Sequence, residues 1–256
     1  MQTTIIPTEK VKLNNAILVE GLPGIGNVGR VAAGYLISEL GMKKIAELYS
    51  PHFWPLVVLH PDSTATPLRN EFYYYKGEKN DIVILTGDSQ SITPEGHYEI
   101  CERVLEFCQA NGIKTVITIG GFAEGKEVEE QKIIGAVNDK KLVKKYEKFD
   151  IDFGKNHPTG TIVGATGLLI GLAGLKKIDA VCLMGQTIGI PGMTDPKAAD
   201  SVLQILIKIL GVKVDLSKLE KAIEEIEVQI KKSEKIQKQI SDQHTRKGGE
   251  ETKYIG

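Results

Sequence analysis

Residues 24–29 read GIGNVG, three glycines at the G-x-G-x-x-G spacing. That spacing lets a chain turn tightly from a strand into a helix and aim main-chain N–H groups at a phosphate. The context fits: an apolar run, Ile17-Leu18-Val19, precedes the loop. A helical pattern of Val28, Val31, Ala32, Tyr35, Leu36 and Leu40 follows it and stops at Gly41. Glu47, eighteen residues past Gly29, stands near the place of a ribose-binding acid, but it falls inside a strand pattern. The same glycines serve a second purpose equally well, because small residues allow a tight turn and close contact between helix and sheet. The packing role is the favoured reading. A nucleotide- or phosphate-binding enzyme using Gly24, Gly26 and Gly29 is the alternative.

Other chemistry is sparser. Ser89 and Ser91 follow an apolar run in the order Gly87-Asp88-Ser89-Gln90-Ser91, but a nucleophile elbow requires glycine where Ser91 stands. The histidines, at 52, 60, 97, 157 and 244, are scattered without HExxH or paired metal-ligand spacing, so no metal is expected. His52 and His60 flank a Pro51-His52-Phe53-Trp54-Pro55 corner and read as hydrogen-bonded loop residues. His97, Glu95 and Glu99 share a helix start, where acids are favoured for capping alone. Cys101, Cys108 and Cys182 sit in apolar patterns with no CxxC pair, as reduced core thiols do. Nothing here commits the chain to catalysis, and no cofactor is called for.

These residues must be held by an alternation of strands and helices. Ile45–Tyr49 and Leu56–Leu59 read as strands, and Phe72–Tyr75 as an aromatic strand near an edge or an interface. Asp81–Thr86 is a continuous apolar run suited to a central parallel strand. Thr93-Pro94-Glu95 opens a helix that runs to Asn111-Gly112. Val116–Ile119, Ile133–Val137 and Ala180–Met184 supply further strands, and Asp195-Pro196 starts a helix ending at Gly211. Glycines 160, 164, 167, 171 and 174 stud an apolar stretch read as a helix packed close on the sheet. Such alternation implies an α/β sandwich with a largely parallel sheet.

Composition changes after residue 214. Residues 215–243 are rich in Glu, Lys, Gln and Ile, with no Gly or Pro. Ser217 and Glu220 have capping-box spacing, and acids precede bases in the order that complements a helix dipole. Leu219, Ile223, Ile226 and Ile230 make a narrow seam, with Ile236 and Ile240 beyond it. A helix with so thin a stripe buries little on its own subunit and is expected to project. Residues 244–256 (HTRKGGEETKYIG) are polar and glycine-containing, the composition of a flexible tail. The expected organisation is a core over 1–214, a charged helix over 215–243 and a tail over 244–256.

Bulk properties exclude several partners. Lysine and arginine total 32 against 33 acids, so there is no basic footprint for nucleic acid or an anionic membrane. The N-terminus lacks a basic-then-apolar leader, and the longest uncharged run, 158–175, is glycine-rich and short for a membrane span of about 20 residues. A cytoplasmic protein is expected.

Four motifs, in order, resemble those of the proteasome assembly chaperone family and its archaeal homologues, sometimes filed as ATP-grasp-like. They are GLPGIGNVGRVAAGYL near the start, TGDSQ after the apolar run at 81–86, the glycine-rich stretch from Gly160, and GQTIGIPGMTDPKAADSVLQIL at 185–206. The resemblance covers about residues 15–212. It implies a three-layer α/β/α sandwich similar to nucleoside phosphorylases but without their active site, extended by a C-terminal helix. It further implies a non-enzymatic, ATP-independent chaperone that self-associates, a tetramer being favoured, and binds proteasome α-subunits. In that family a tail ending hydrophobic–Tyr–any residue docks between α-subunits. Here the chain ends Lys253-Tyr254-Ile255-Gly256, with the tyrosine one place earlier and a lysine before it. By this resemblance the partner-binding residues are Lys253, Tyr254, Ile255 and Gly256, with Ile226, Ile230, Ile236 and Ile240 on the helix that carries them.

Overall fold

The computed structural model describes residues 1–126, 131–154, 160–190, 192–219 and 221. In chain order its strands and α-helices are β1 (Thr4–Pro7), β2 (Ile17–Glu20), α1 (Val28–Glu39), β3 (Lys43–Tyr49), β4 (Val57–Leu59), β5 (Ala65–Pro67), β6 (Asn70–Tyr75), β7 (Ile82–Gly87), α2 (Pro94–Ala110), β8 (Thr115–Ala123), β9 (Ile133–Val137), α3 (Val143–Tyr146), β10 (Ile151–Asp152), α4 (Ala165–Leu175), β11 (Asp179–Thr187) and α5 (Pro196–Leu210). Nine strands form one sheet in the order β1-β3-β6-β7-β2-β8-β11-β9-β10, with β2 at its centre.

The four inner strands β7, β2, β8 and β11 run parallel. Buried on both faces, their side chains alternate between two cores. Val19, Ile84, Ile117 and Leu183 enter the layer with α1 and α5, while Leu18, Val83, Val116 and Cys182 enter the layer with α2 and α4. The expected α/β/α sandwich is therefore present. The sheet as a whole is mixed, however. β6 is antiparallel to both β3 and β7, and β9 is antiparallel to β11. The six residues between β6 and β7 are too few for a parallel crossover, which takes a dozen or more.

Helix ends follow local chemistry. Thr93 caps α2 by accepting the Gly96 N–H at 3.1 Å, with Pro94 at the first helical position, as its sequence predicts. Asp195 caps α5 through the Ala198 N–H at 3.0 Å, and Gly211 ends it in the left-handed region. Near residue 215 the capping residue is Asp215, which accepts the Ser217 N–H at 2.9 Å; Ser217 itself lies inside a short 3-10 turn. The glycine-rich stretch does form a helix, α4, on the sheet. Ala165, Leu169 and Ala173 are buried beneath it, and Thr166 lies against a strand glycine, Gly120, whose Cβ would stand 3.2 Å from the Thr166 methyl, whereas Gly171 has nothing within 4 Å. Leu56–Leu59 departs further from expectation: β4 joins β5 in a separate hairpin, where Val57 and Leu59 are exposed. The Phe72–Tyr75 strand is third from the edge, between β3 and β7.

Candidate functional site

The loop from β2 to α1 sits at the carboxyl end of the parallel strands, where open α/β sheets place ligands. Its glycines are used by packing. A Cβ on Gly21 would lie 2.3 Å from the Gly29 carbonyl oxygen, and one on Gly29 would lie 2.7 Å from that of Ile119. Gly26 has φ +62° and would place a Cβ 3.1 Å from the Thr187 hydroxyl. Gly121 on β8 accommodates the loop in turn, since its Cβ would lie 2.2 Å from the Ile25 carbonyl oxygen. Gly24 alone is open, facing Gln90 at 3.8 Å.

Three elements brace this loop. The Gln90 amide donates to the Pro23 carbonyl at 2.6 Å, and its oxygen accepts the Ala165 N–H at 3.0 Å, tying the loop to the start of α4. The Asp195 N–H donates to the Gly26 carbonyl at 2.9 Å, tying it to the start of α5. Between them lies a cleft of about 670 Å³ walled by Ile25, Phe122, Ile162, Val163 and Met184. Exposed Ile25, Val163, Ile188, Ile190 and Met193 belong to the loops at this end of the sheet.

The cleft is poorly equipped for phosphate. Among the described residues that line it there is no lysine or arginine, and its titratable group is His97, whose imidazole is held below its ordinary pKa by burial. Under the floor, Glu20 is fully buried, its carboxylate accepting the Leu22 N–H at 3.0 Å and the Thr166 hydroxyl at 3.4 Å. Burial raises its pKa to about 7 despite those bonds, which favour the charged form. Glu47, at the sequence spacing of a ribose acid but inside a strand pattern, is three strands away from β2, hydrogen-bonded to Lys44 and Tyr49 and 3.4 Å from Arg69. Gly24 and Gly26 of the loop and Gly29 in the first turn of α1 thus stand together, but Glu47 does not join them.

The remaining candidates are structural in their contacts. The Ser89 hydroxyl donates to the Gln90 carbonyl and the Ser91 hydroxyl to that of Thr93, at 2.7 and 2.8 Å. His52 bridges the Thr93 hydroxyl and Glu99, at 2.9 and 3.1 Å, and His60 bonds to Thr66 at 2.8 Å, as loop histidines do. The three cysteines are buried free thiols, and burial pushes those of Cys108 and Cys182 up to about 12. No helix among the described residues is long and apolar enough to cross a membrane.

Sequence reasoning missed Glu20. Its signal was available: a carboxylate closing the apolar run 17–19, directly before the glycine loop. The expected partner-binding residues Ile226, Ile230, Ile236, Ile240, Lys253, Tyr254, Ile255 and Gly256 lie outside the described residues. Where the description stops, the segment is held on the core: Leu219 is buried with the α1–α5 cluster, and the Tyr35 hydroxyl donates to the Asp215 carbonyl.

The model of the PAC2 family matches residues 18–234, most of the chain. The chain belongs to the PAC2 family. The motif resemblance to the proteasome assembly chaperones is borne out with it. This PAC2 protein is 38% identical over 98% of each chain to the uncharacterized protein MJ1210 of Methanocaldococcus jannaschii. It is similar to the crystal structure of Pyrococcus furiosus PbaB, an archaeal proteasome activator, at 35% identity and TM-score 0.80, over 94% of this chain and 99% of that one. It is likewise similar to P. furiosus PbaA, an archaeal homolog of proteasome-assembly chaperone, at 28% identity and TM-score 0.75, over 92% and 98%.

Proposed function

We propose that this PAC2 protein is a non-enzymatic chaperone or adaptor of the 20S proteasome, acting in the cytoplasm without ATP. A homo-oligomer of α/β/α cores, most simply a tetramer, serves as the scaffold. Residues 222–243 extend from it and carry Tyr254 and the terminal carboxylate to proteasome α-subunits, assisting assembly or docking on the finished ring. The carrying observation is likeness along almost the whole chain to PbaB, an archaeal proteasome activator. The cleft supports the same reading from the other side, because apolar walls with no lysine or arginine among the described residues offer little to a nucleotide. An aromatic side chain beside a free carboxylate is suited to a neighbour's groove. Several weak tails on one oligomer gain affinity through effective concentration when their spacing matches the ring.

The test is to mix the purified protein with α-subunits from the same source, without nucleotide, and to weigh the products by native mass spectrometry. A complex of both chains is expected; two unmixed populations would overturn the proposal. In parallel, titrating the protein with ATP or inorganic phosphate should leave its melting temperature unchanged. A saturable rise that Gly24→Leu abolishes would favour the glycine-loop enzyme instead.

A further inference from the structure

Every hydrogen-bonding neighbour of the buried Glu20 carboxylate is also a wall of the cleft. Leu22 donates its N–H at 3.0 Å, Thr166 its hydroxyl at 3.4 Å, and the Ile119 main chain adds a further bond; all three residues line the cleft. The Thr166 hydroxyl has one proton for two acceptors, Glu20 and the Ile119 carbonyl, each at 3.4 Å. Around this group α2 presents the buried Cys101 thiol and β11 that of Cys182, both kept protonated by burial, while His97 of α2 stands on the cleft wall, its charged form disfavoured by burial. Among the described residues no cation acts on the carboxylate. The first turn of α4, which carries Thr166, is fastened from outside. Gly164, at φ +85°, precedes it without a capping side chain, and Val163 before that is 87% exposed. Its external ties are the Gln90 oxygen on the Ala165 N–H, the Thr118 hydroxyl donating to the Thr166 carbonyl at 3.0 Å, and the Thr166–Glu20 bond.

From this geometry we infer that Glu20 is a proton-operated latch on the cleft. With the carboxyl neutral, the first turn of α4 stays closed on the loop after β2; with it ionised, that turn opens and lets water reach the charge. Burial sets the direction. The donors present favour the charge, yet desolvation outweighs them and holds the acid at about 7 against its ordinary 4.5. The closed state therefore prefers the proton, and any state that wets the carboxylate prefers the charge. Opening becomes easier as pH rises above 4.5 and levels off beyond 7, where the closed state has lost its proton as well. Because Leu22 and Thr166 are walls as well as partners, the cleft changes shape with the same proton.

Amide hydrogen exchange of the full-length wild type and Glu20→Gln between pH 5 and pH 8 tests this, each rate being corrected for the intrinsic pH dependence of exchange. In the wild type, peptides over 161–168 should be less protected than those of α5, the mark of a local opening. Their protection should fall at least about tenfold over the range and level off near the top of it, whereas in Glu20→Gln it should hold within about twofold. Thr166→Val deletes a donor to the charged form and should carry the bend of the wild-type profile about half a unit higher, a readout that stands even where Glu20→Gln fails to fold. Four results would overturn the latch: wild-type protection over 161–168 that is flat with pH, protection there equal to that of α5 throughout, an equal fall in Glu20→Gln, or a bend that Thr166→Val leaves in place.

Discussion

Glu20 shows how one carboxylate binds the cleft to the solution around it. Its folded-state pKa of about 7 lies above its ordinary 4.5, so between these values the folded chain holds a proton that the unfolded chain has lost. Its contribution to stability is fully present below pH 4.5 and is lost as pH rises through 7. At about 1.4 kcal/mol per unit, the loss is on the order of 3 kcal/mol. Glu20→Gln keeps the acceptor for the Leu22 N–H and has no charge to bury. Urea unfolding at pH 5 and pH 8 should show the wild type losing stability over that interval relative to Glu20→Gln, whose own curve stays flatter. Parallel losses in the two proteins would show that Glu20 does not titrate in this range.

At the level of elements, α1 depends on backbone contacts that only glycine permits. Gly29→Ala drives a Cβ to 2.7 Å from the Ile119 carbonyl and should cost about 1–3 kcal/mol, while Gly24→Ala, with open space and extended backbone, should change stability by under about 0.5 kcal/mol. Denaturant midpoints of the two variants read this directly, and equal effects would remove the packing explanation of the loop. Elements with strong local signals were legible in the sequence: α1 from its apolar period, α2 from Thr93-Pro94, and β2, β7, β8 and β11 from their apolar runs. Strand order was not, because pairing is set by distant residues and leaves no period. β10, two residues long, has no pattern to read. The Leu56–Leu59 run is a strand as read, but which sheet it joins was not legible: it pairs in a separate hairpin, where Val57 and Leu59 face solvent. In Phe72–Tyr75 only Phe72 is fully buried, its ring centroid 4.5 Å from that of Phe107, while Tyr73 and Tyr75 pack half-buried against the α1–α5 cluster. The glycine loop was legible as geometry, whereas the apolar cleft beside it required residues from β8 and the segment before α4.

For the whole molecule, the proposed function assigns separate duties to the braced core and to the part beyond residue 221. Deletion from residue 215 would sever the bond from Tyr35 to the Asp215 carbonyl and remove buried Leu219, so loss of binding would be confounded with damage to the core. A cut after residue 221 avoids this. The most direct measurement of the scaffold-and-arm division is therefore the affinity of the full chain and of the chain ending at residue 221 for 20S proteasome particles, by sedimentation titration, with melting temperatures of both in parallel. The full chain should bind saturably, and the shortened one, with its melting temperature retained, should bind at least about a hundredfold more weakly. Equal affinity of the two would contradict the division, since the core alone would then be the docking element.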